Sequence, residues 1–521
     1  MRKVAKLLVI FLVSIMGLFV SSCEKNDEIK LNIIDDKYRN WYEVFVYSYY
    51  DTNNDGIGDL NGVTEKLDYI MEMGFNGIWL MPIHPSPTYH KYDVINYYEI
   101  DEIYGTLNDF KRLIDEAHKR GIKVILDLVI NHTSSNHPWF KEACEYIVEN
   151  GEVGGKYGQY YNFTLQGGTG FSNVNGSSYY YESRFWSGMP DLNLNSDEVK
   201  NEIIDIMEYW MIEYAVDGFR LDAVTSYYTG NENKNIAFLS WLNNEAKNIK
   251  DDCYIVGEAW LNSDNEINRY YESGIDSFFL FTGAQGTGTI ANIVKQQSGV
   301  SLGKLMLDLQ NSYEGKIVAP FLGNHDTMRP GSFMPGEEKV KMAAGILSMM
   351  NGSIFVYYGE EIGMISKDGL NSDPYKRIAM HWESESIYNG LCYMPPENIH
   401  VDETYYYYPS LEEQYDDKDS ILNYYKKAMQ LRNIFPSIAR GVVEYYPSSE
   451  NNYICVITKT YLNERITIVF NLDSFEQNVA FDLDELGASK IVGELYAASN
   501  SKAKLEDTTL KMPPYSIVIL K

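Results

Sequence analysis

Cysteine is scarce in this chain. Its five residues, Cys23, Cys144, Cys253, Cys392 and Cys455, are widely scattered, with no C-x-x-C pair and no metal-ligand spacing. That excludes a disulfide-stapled framework and leaves buried free thiols as the expectation. Basic residues are also outnumbered: 44 Lys and Arg stand against 73 Asp and Glu, a net charge of -29. Nucleic acid is excluded as a partner, because its affinity comes from cations that neutralise phosphates. The acidic excess is read as a solvated surface. There is no internal repeat and no low-complexity tract. Long apolar runs are absent except Leu7–Val20, which is too short to span a bilayer comfortably.

That run has the size of a signal h-region. Arg2, Lys3 and Lys6 precede it, and Val20-Ser21-Ser22-Cys23 ends it before the polar stretch Glu24–Glu28. Small residues before a cysteine at this point resemble a bacterial lipoprotein signal, in which the cysteine is acylated and becomes the mature N-terminus. Residues 1–22 are therefore expected to be a signal peptide, Cys23 a lipid anchor and 23–36 a tether, with export to the bacterial cell surface.

From there on, strand-like runs alternate with helical patterns. Eight candidate strands are EVFVY (43–47), GIWLMPI (77–83), KVILDLVI (123–130), DGFRLD (217–222), YIVGEA (254–259), DSFFLF (276–281), KIVAPFLG (316–323) and SIFVYYG (353–359). Amphipathic stretches such as Leu107–Arg120 and Ser196–Tyr214 lie between them, the second opening with Ser196-Asp197-Glu198 cap chemistry. Eight β/α alternations predict an α/β fold, a (β/α)8 TIM barrel, with function on the loops after the strands. Residues 133–190, rich in Gly, Asn, Ser and Tyr, are too long for a plain loop and read as a small inserted domain after strand 3. The barrel then comprises 37–132 and 191–435. Beyond Pro436 short alternating runs (VVEYY, YICVITKT, RITIVFNL, KIVGELY, SIVIL) predict an all-β sandwich domain over 436–521.

Four motifs close apolar runs: DLVINH (127–132), GFRLD (218–222), GEAW (257–260) and LGNHD (322–326). They supply three well-separated carboxyl groups at strand ends, Asp222, Glu258 and Asp326. Arg220 and Asp222 are two apart in a strand and share a side, and the guanidinium favours the ionised acid. Asp222 is thus suited to be a nucleophile. Glu258, after an apolar strand and before Ala259 and Trp260, is suited to be a general acid raised by burial. A retaining glycosidase needs such a pair about 5–5.5 Å apart. The 44 Tyr, 21 Phe and 8 Trp offer flat faces that suit cores and, for a handful of them, sugar rings.

On these motifs the chain resembles glycoside hydrolase family 13, the α-amylase family, over essentially everything after the signal. Asp127–His132, Gly218–Asp222, Gly257–Glu258 and Asn324–Asp326 match its four main regions, and MPDLN (189–193) resembles its fifth. The resemblance implies Asp222 as nucleophile, Glu258 as acid/base and Asp326 as transition-state stabiliser. It places His132, Arg220 and His325 around the cleaved sugar. In YHKYDV (89–94) it implies that His90 and Tyr92 touch that sugar and Asp93 supports it. KRIAMHW (376–382) resembles a stretch after the eighth strand and is assigned to the substrate rim, whereas His84, among prolines in PIHPSP, reads as a structural loop residue. The implied activity is endo-hydrolysis of α-1,4-glucosidic bonds of starch and maltooligosaccharides. A monomer is expected. Ala223-Val224-Thr225 replaces the Lys-His pair of many α-amylases, and Met189 begins a version of the fifth region also found in neopullulanase-like members. An α-glucosidase, oligo-1,6-glucosidase, neopullulanase or glucanotransferase would use the same residues. A non-catalytic starch-binding surface protein would lack one of the three acids, and all three are present.

Asp51, Asn53, Asp55, Ile57 and Asp59 form a second constellation, with Gly56 at the sixth place. Oxygen donors at alternate positions, Ile57 through its carbonyl, match the first nine positions of a calcium loop. Gly62 stands where an EF-hand would need Glu, so this is no EF-hand. Similar loops after the first strand bind structural calcium, or sometimes magnesium, in the resembled family.

Overall fold

Strands buried on both faces read as near-continuous apolar runs, and the runs named above become the eight parallel strands of one sheet. They are β1 (Asn40–Val44), β2 (Gly77–Leu80), β3 (Lys123–Leu128), β7 (Gly218–Leu221), β8 (Tyr254–Gly257), β9 (Ser277–Phe279), β10 (Ile317–Ala319) and β11 (Ile354–Tyr357). A computed structural model describes residues 36–367, 372–384, 391–447, 451–480, 482–498 and 502–521. The signal, Cys23 and all but the last residue of the tether lie outside the described residues.

Strand order is β10-β9-β8-β7-β3-β2-β1-β11, and a parallel bridge between Phe321 and Phe355 brings β10 against β11 to close the barrel. Large side chains fill the interior: Trp41, Trp79, Ile125, Tyr254, Val256, Phe279, Phe321 and Phe355 form one buried cluster. The first strand lies three residues earlier than its expected position, at Asn40–Val44, and Val46–Ser48 turns into a 3-10 helix. The seventh stops at Ala319 rather than Gly323, so Asp326 stands on a loop. Outside the barrel, Leu107–Lys119 starts with a full capping box between Thr106 and Asp109 and buries Phe110, Leu113, Ile114 and Ala117. Ser196 caps Asp197–Glu208, after which the expected helix widens into a π-helical turn, Tyr209–Glu213, that seats Trp210 and Met211 inward.

Between β3 and β7 the chain forms a helix, Pro138–Asn150, and a small sheet of β4 (Phe163–Thr164), β5 (Phe171–Asn173) and β6 (Tyr180–Glu182). Bridges His132–Asp191 and Tyr161–Leu192 stitch this insertion to the barrel rim. At the C-terminus β12 (Val442–Tyr446), β13 (Ile454–Tyr461), β14 (Glu464–Asn471), β19 (Ser516–Leu520) and β16 (Ile491–Tyr496) make an antiparallel sheet in the order 12-13-14-19-16. A second sheet of β15 (Gln477–Ala480), β18 (Thr509–Met512) and β17 (Lys504–Glu506) packs on it over Val456, Val469, Leu510, Met512 and Val518. Cys144, Cys253, Cys392 and Cys455 are free thiols, Cys144 partly exposed and the rest buried.

Candidate active site

The polar motif residues gather where the barrel strands end. Gly218 opens β7 with φ +148°, and a Cβ there would lie 1.8 Å from the Tyr254 carbonyl oxygen, so this close strand approach needs glycine. Arg220 follows inside the barrel and Asp222 just beyond its rim. Glu258 comes directly after β8. Arg220 is 1% exposed and ties the groups together. Its Nη1 donates to Asp222 Oδ1 (2.7 Å), Asp127 Oδ1 (2.8 Å) and Tyr92 Oη (3.3 Å), and its Nη2 pairs with Glu258 Oε2 (3.0 Å). One guanidinium therefore bridges the two acids singled out from the sequence. The same Glu258 oxygen accepts the Ala223 backbone N–H at 2.9 Å. Burial pushes the Glu258 carboxyl up to about 7, with Asp222 and Asp326 adding to the rise and Arg220 opposing it. Asp127 is pushed up to about 6 by burial, again against Arg220.

Across the cleft, Asp326 is held by two cations. His325 Nε2 lies 2.9 Å from Asp326 Oδ2, and Arg377 Nη2 donates to Asp326 Oδ1 at 2.7 Å. Burial works against ionisation of Asp326, but His325 and then Arg377 hold its carboxyl well below the usual carboxylate range. Burial alone would discharge His325, yet Asp326 and Glu43, whose Oε1 is 2.5 Å from Nδ1, raise it to about 9. Tyr92 donates to Asp127 Oδ2 (3.0 Å) and stands 2.7 Å from His325 Nε2, so the two networks meet at its hydroxyl. Burial lowers His132, and burial with Arg377 nearby lowers His90 to about 3.

A cleft of ≈ 320 Å³ opens over these groups. His90, Tyr92, His132, Asp222, Glu258 and Asp326 line it. Arg220 and His325 sit behind that surface and act on it through the carboxylates. Asp93 also stays behind it, 1% exposed, with Oδ1 accepting from Ser86 Oγ (2.7 Å) and from Thr88 Oγ1, as a support rather than a contact.

The catalytic-domain model of α-amylase matches residues 43–441. Alpha-amylase 3 of Dictyoglomus thermophilum is 36% identical over 497 residues, spanning 93% of each chain. The chain belongs to the α-amylase family, glycoside hydrolase family 13. The oligo-1,6-glucosidase of Parageobacillus thermoglucosidasius is 29% identical over 515 residues, covering 82% of this chain and 89% of its own. Among solved structures, Eubacterium rectale Amy13B superposes with a TM-score of 0.88 at 42% identity, covering 94% of this chain and 97% of its own.

In this family 13 enzyme, several cleft residues escape the motif reading. Phe185 and Trp186 come from the insertion, just before Met189, and Asp373 and Arg377 come from the segment after β11. Of these only Arg377 and Met189 fall in stretches the sequence marks. Glu43 is hidden inside β1, where alternation gives no sign that a carboxylate faces a histidine. His84 is structural as expected: its Nδ1 is 3.0 Å from the Glu99 carbonyl and its ring packs on Trp210.

The loop at 51–59 keeps its expected turn. Gly56 has φ +94°, Asp51 accepts backbone N–H groups from Asn53 (3.0 Å), Asn54 (2.7 Å) and Gly56 (2.7 Å), and Asp55 accepts from Ile57 (2.8 Å). Asp59 caps the following helix through Gly62 N (2.8 Å). Among the described residues, no group of three or more His, Cys, Asp or Glu side chains is drawn together as around a metal. The donor set, hard oxygens only on a glycine-turned loop, nevertheless fits calcium chemistry.

Proposed function

We propose that this enzyme is a retaining endo-hydrolase of α-1,4-glucosidic bonds in starch and maltooligosaccharides. The observation that carries the reading is the single guanidinium of Arg220 shared between Asp222 and Glu258, which holds the two acids close together on one cation, as the about 5–5.5 Å pair of a retaining enzyme requires. Asp222, paired with Arg220, attacks the anomeric carbon as Glu258 gives its proton to the leaving oxygen. The bond to that oxygen breaks and a glycosyl ester forms on Asp222. Water, losing its proton to Glu258, then releases the sugar with its configuration retained. A Glu258 carboxyl near 7 still carries a large share of that proton at neutral pH. Asp326, kept ionised, takes hydroxyls of the ring and favours its distortion toward the charged transition state. The relative named alpha-amylase supports the α-1,4 reading. The relative named oligo-1,6-glucosidase, with the missing Lys-His pair after Asp222, supports a second one, α-1,6 or exo action on short chains. Chromatography of products from amylose, pullulan and isomaltose decides. Mixed maltooligosaccharides from amylose are expected; glucose released from isomaltose, with amylose left uncut, would overturn the first reading.

The same proposal places a structural hard cation, calcium or magnesium, at Asp51, Asn53, Asp55, the Ile57 carbonyl and Asp59. It also places the enzyme on the bacterial cell surface, exported and held by a lipid on Cys23, where a polymer too large to import would be cut. Loss of the protein from the membrane fraction in Cys23→Ser checks the anchor, and retention there would refute it.

A further inference from the structure

Glu43 sits in the middle of β1, 1% exposed, opposite Trp79 on β2 and Tyr357 on β11. A carboxylate in such surroundings is costly unless a partner meets its charge. That partner is His325, 0% exposed, whose Nδ1 lies 2.5 Å from Glu43 Oε1. The other ring nitrogen, Nε2, stands 2.9 Å from Asp326 Oδ2 and 2.7 Å from Tyr92 Oη. Tyr92 gives its own proton to Asp127 Oδ2 (3.0 Å), so toward His325 its hydroxyl accepts. The Tyr92 ring stacks on the imidazole and Trp79 meets it edge-on, which fixes the plane of the ring.

An ionised carboxylate can only accept hydrogen bonds, and a neutral imidazole carries a single N–H. With acceptors at both nitrogens, His325 satisfies them only as the doubly protonated cation. Asp127 also favours that cation, whereas three positive groups oppose it: Arg220 on the Tyr92 hydroxyl (3.3 Å), Arg377 on the His325 carbonyl (3.0 Å) and Lys376 on the Asp326 carbonyl (2.7 Å). Tyr357 and Glu360 are the titratable groups that feel Glu43 from β11 and just beyond it. Resting on the glucan-hydrolase reading above, we propose that Glu43 is a positioning residue for the reaction. It fixes His325 as an imidazolium, and the Nε2–H of that cation holds Asp326 ionised and aimed at the sugar ring.

The test uses α-maltotriosyl fluoride, because fluoride departs without a proton and kcat/KM is then freed from the limb set by Glu258. Loss of the His325 proton should set the remaining alkaline limb, at about 9 in the wild-type enzyme. Glu43→Gln keeps the shape and removes the charge. It should bring that limb down by about one unit or more and lower kcat about tenfold, with KM changed less than about threefold. Glu43→Asp keeps the charge and should leave the limb near its wild-type place. An unmoved limb in Glu43→Gln, or an equal move in Glu43→Asp, would overturn the proposal. Should Glu43→Gln fail to fold, nitrogen-15 NMR of the wild-type protein decides, with the His325 signals assigned by their loss in His325→Asn. Both ring nitrogens are expected to be protonated at about pH 8, and a neutral ring would refute the role of Glu43. Release of maltotriose with inverted configuration would overturn the retaining reading instead, and the NMR result would still stand for or against Glu43.

Discussion

Around the cleft, the loops after β2, β10 and β11 meet solvent with a different chemistry from those after β3 and β8. The first group presents His90, Asp326, Asp373 and Arg377, with each oxygen of Asp326 matched by a cation within 2.9 Å. The second presents Phe185, Trp186 and Trp260 around the pair proposed to react. Fixed charges recognise hydroxyls at set positions and lose their effect when a partner shifts. Ring faces accept any sugar that lies flat on them. On the proposed reading, one half of the cleft holds one ring in one geometry and the other tolerates a chain.

The largest way to break this contrast is at the reacting pair. Asp222→Asn is expected to cut turnover about 10³-fold or more in steady-state assays while circular dichroism shows a native fold; near-normal turnover would remove Asp222 as nucleophile. Arg377→Met comes next. It leaves Asp326 with His325 alone, and kcat should fall about a hundredfold, the cost of stripping one partner from a buried charged pair. A mild loss would mean that the charged half does less than its geometry implies. The pH profile sharpens the same comparison. Glu258, near 7, must be protonated to act as acid, so kcat/KM should fall roughly tenfold per unit as pH rises beyond about 7. Asp326, held far below its ordinary range, should add no limb between pH 5 and 9. An alkaline limb that persists unmoved in a Glu258 variant rescued by azide would detach it from this group. The smallest effect is expected far from the contrast: chelation should lower Tm by a few degrees, read by calorimetry, if a cation occupies the 51–59 loop. An unchanged Tm would count against that cation.

All eight barrel strands were legible because burial on both faces leaves a mostly apolar run, broken only by Asn40, Glu43, Asp127, Arg220 and the first or small polar residues of a strand. The slip at β1 has a plain cause: in NWYEVFVY nothing polar or glycine-like marks where the strand stops. The strands of the second C-terminal sheet are not marked in the sequence because QNVA, KLE and TLKM are short and half polar. In the cleft, Asp222 and Glu258 could be read because each directly follows a strand that fixes where its side chain goes. Phe185, Trp186 and Asp373 could not, since their positions depend on the path of long loops. Glu43 could not either, since it is paired by tertiary contact with His325 across 282 residues.

The shared guanidinium has a consequence in time. During the proposed reaction Asp222 becomes an ester and gives up its charge, so Glu258 loses a repelling neighbour and shares Arg220 with Asp127 as the only other carboxylate on it. Its affinity for a proton must then drop at the moment it has delivered one, which readies it to strip the incoming water. Alternation between donor and acceptor is thus written into one side chain's divided loyalties, with no moving part required.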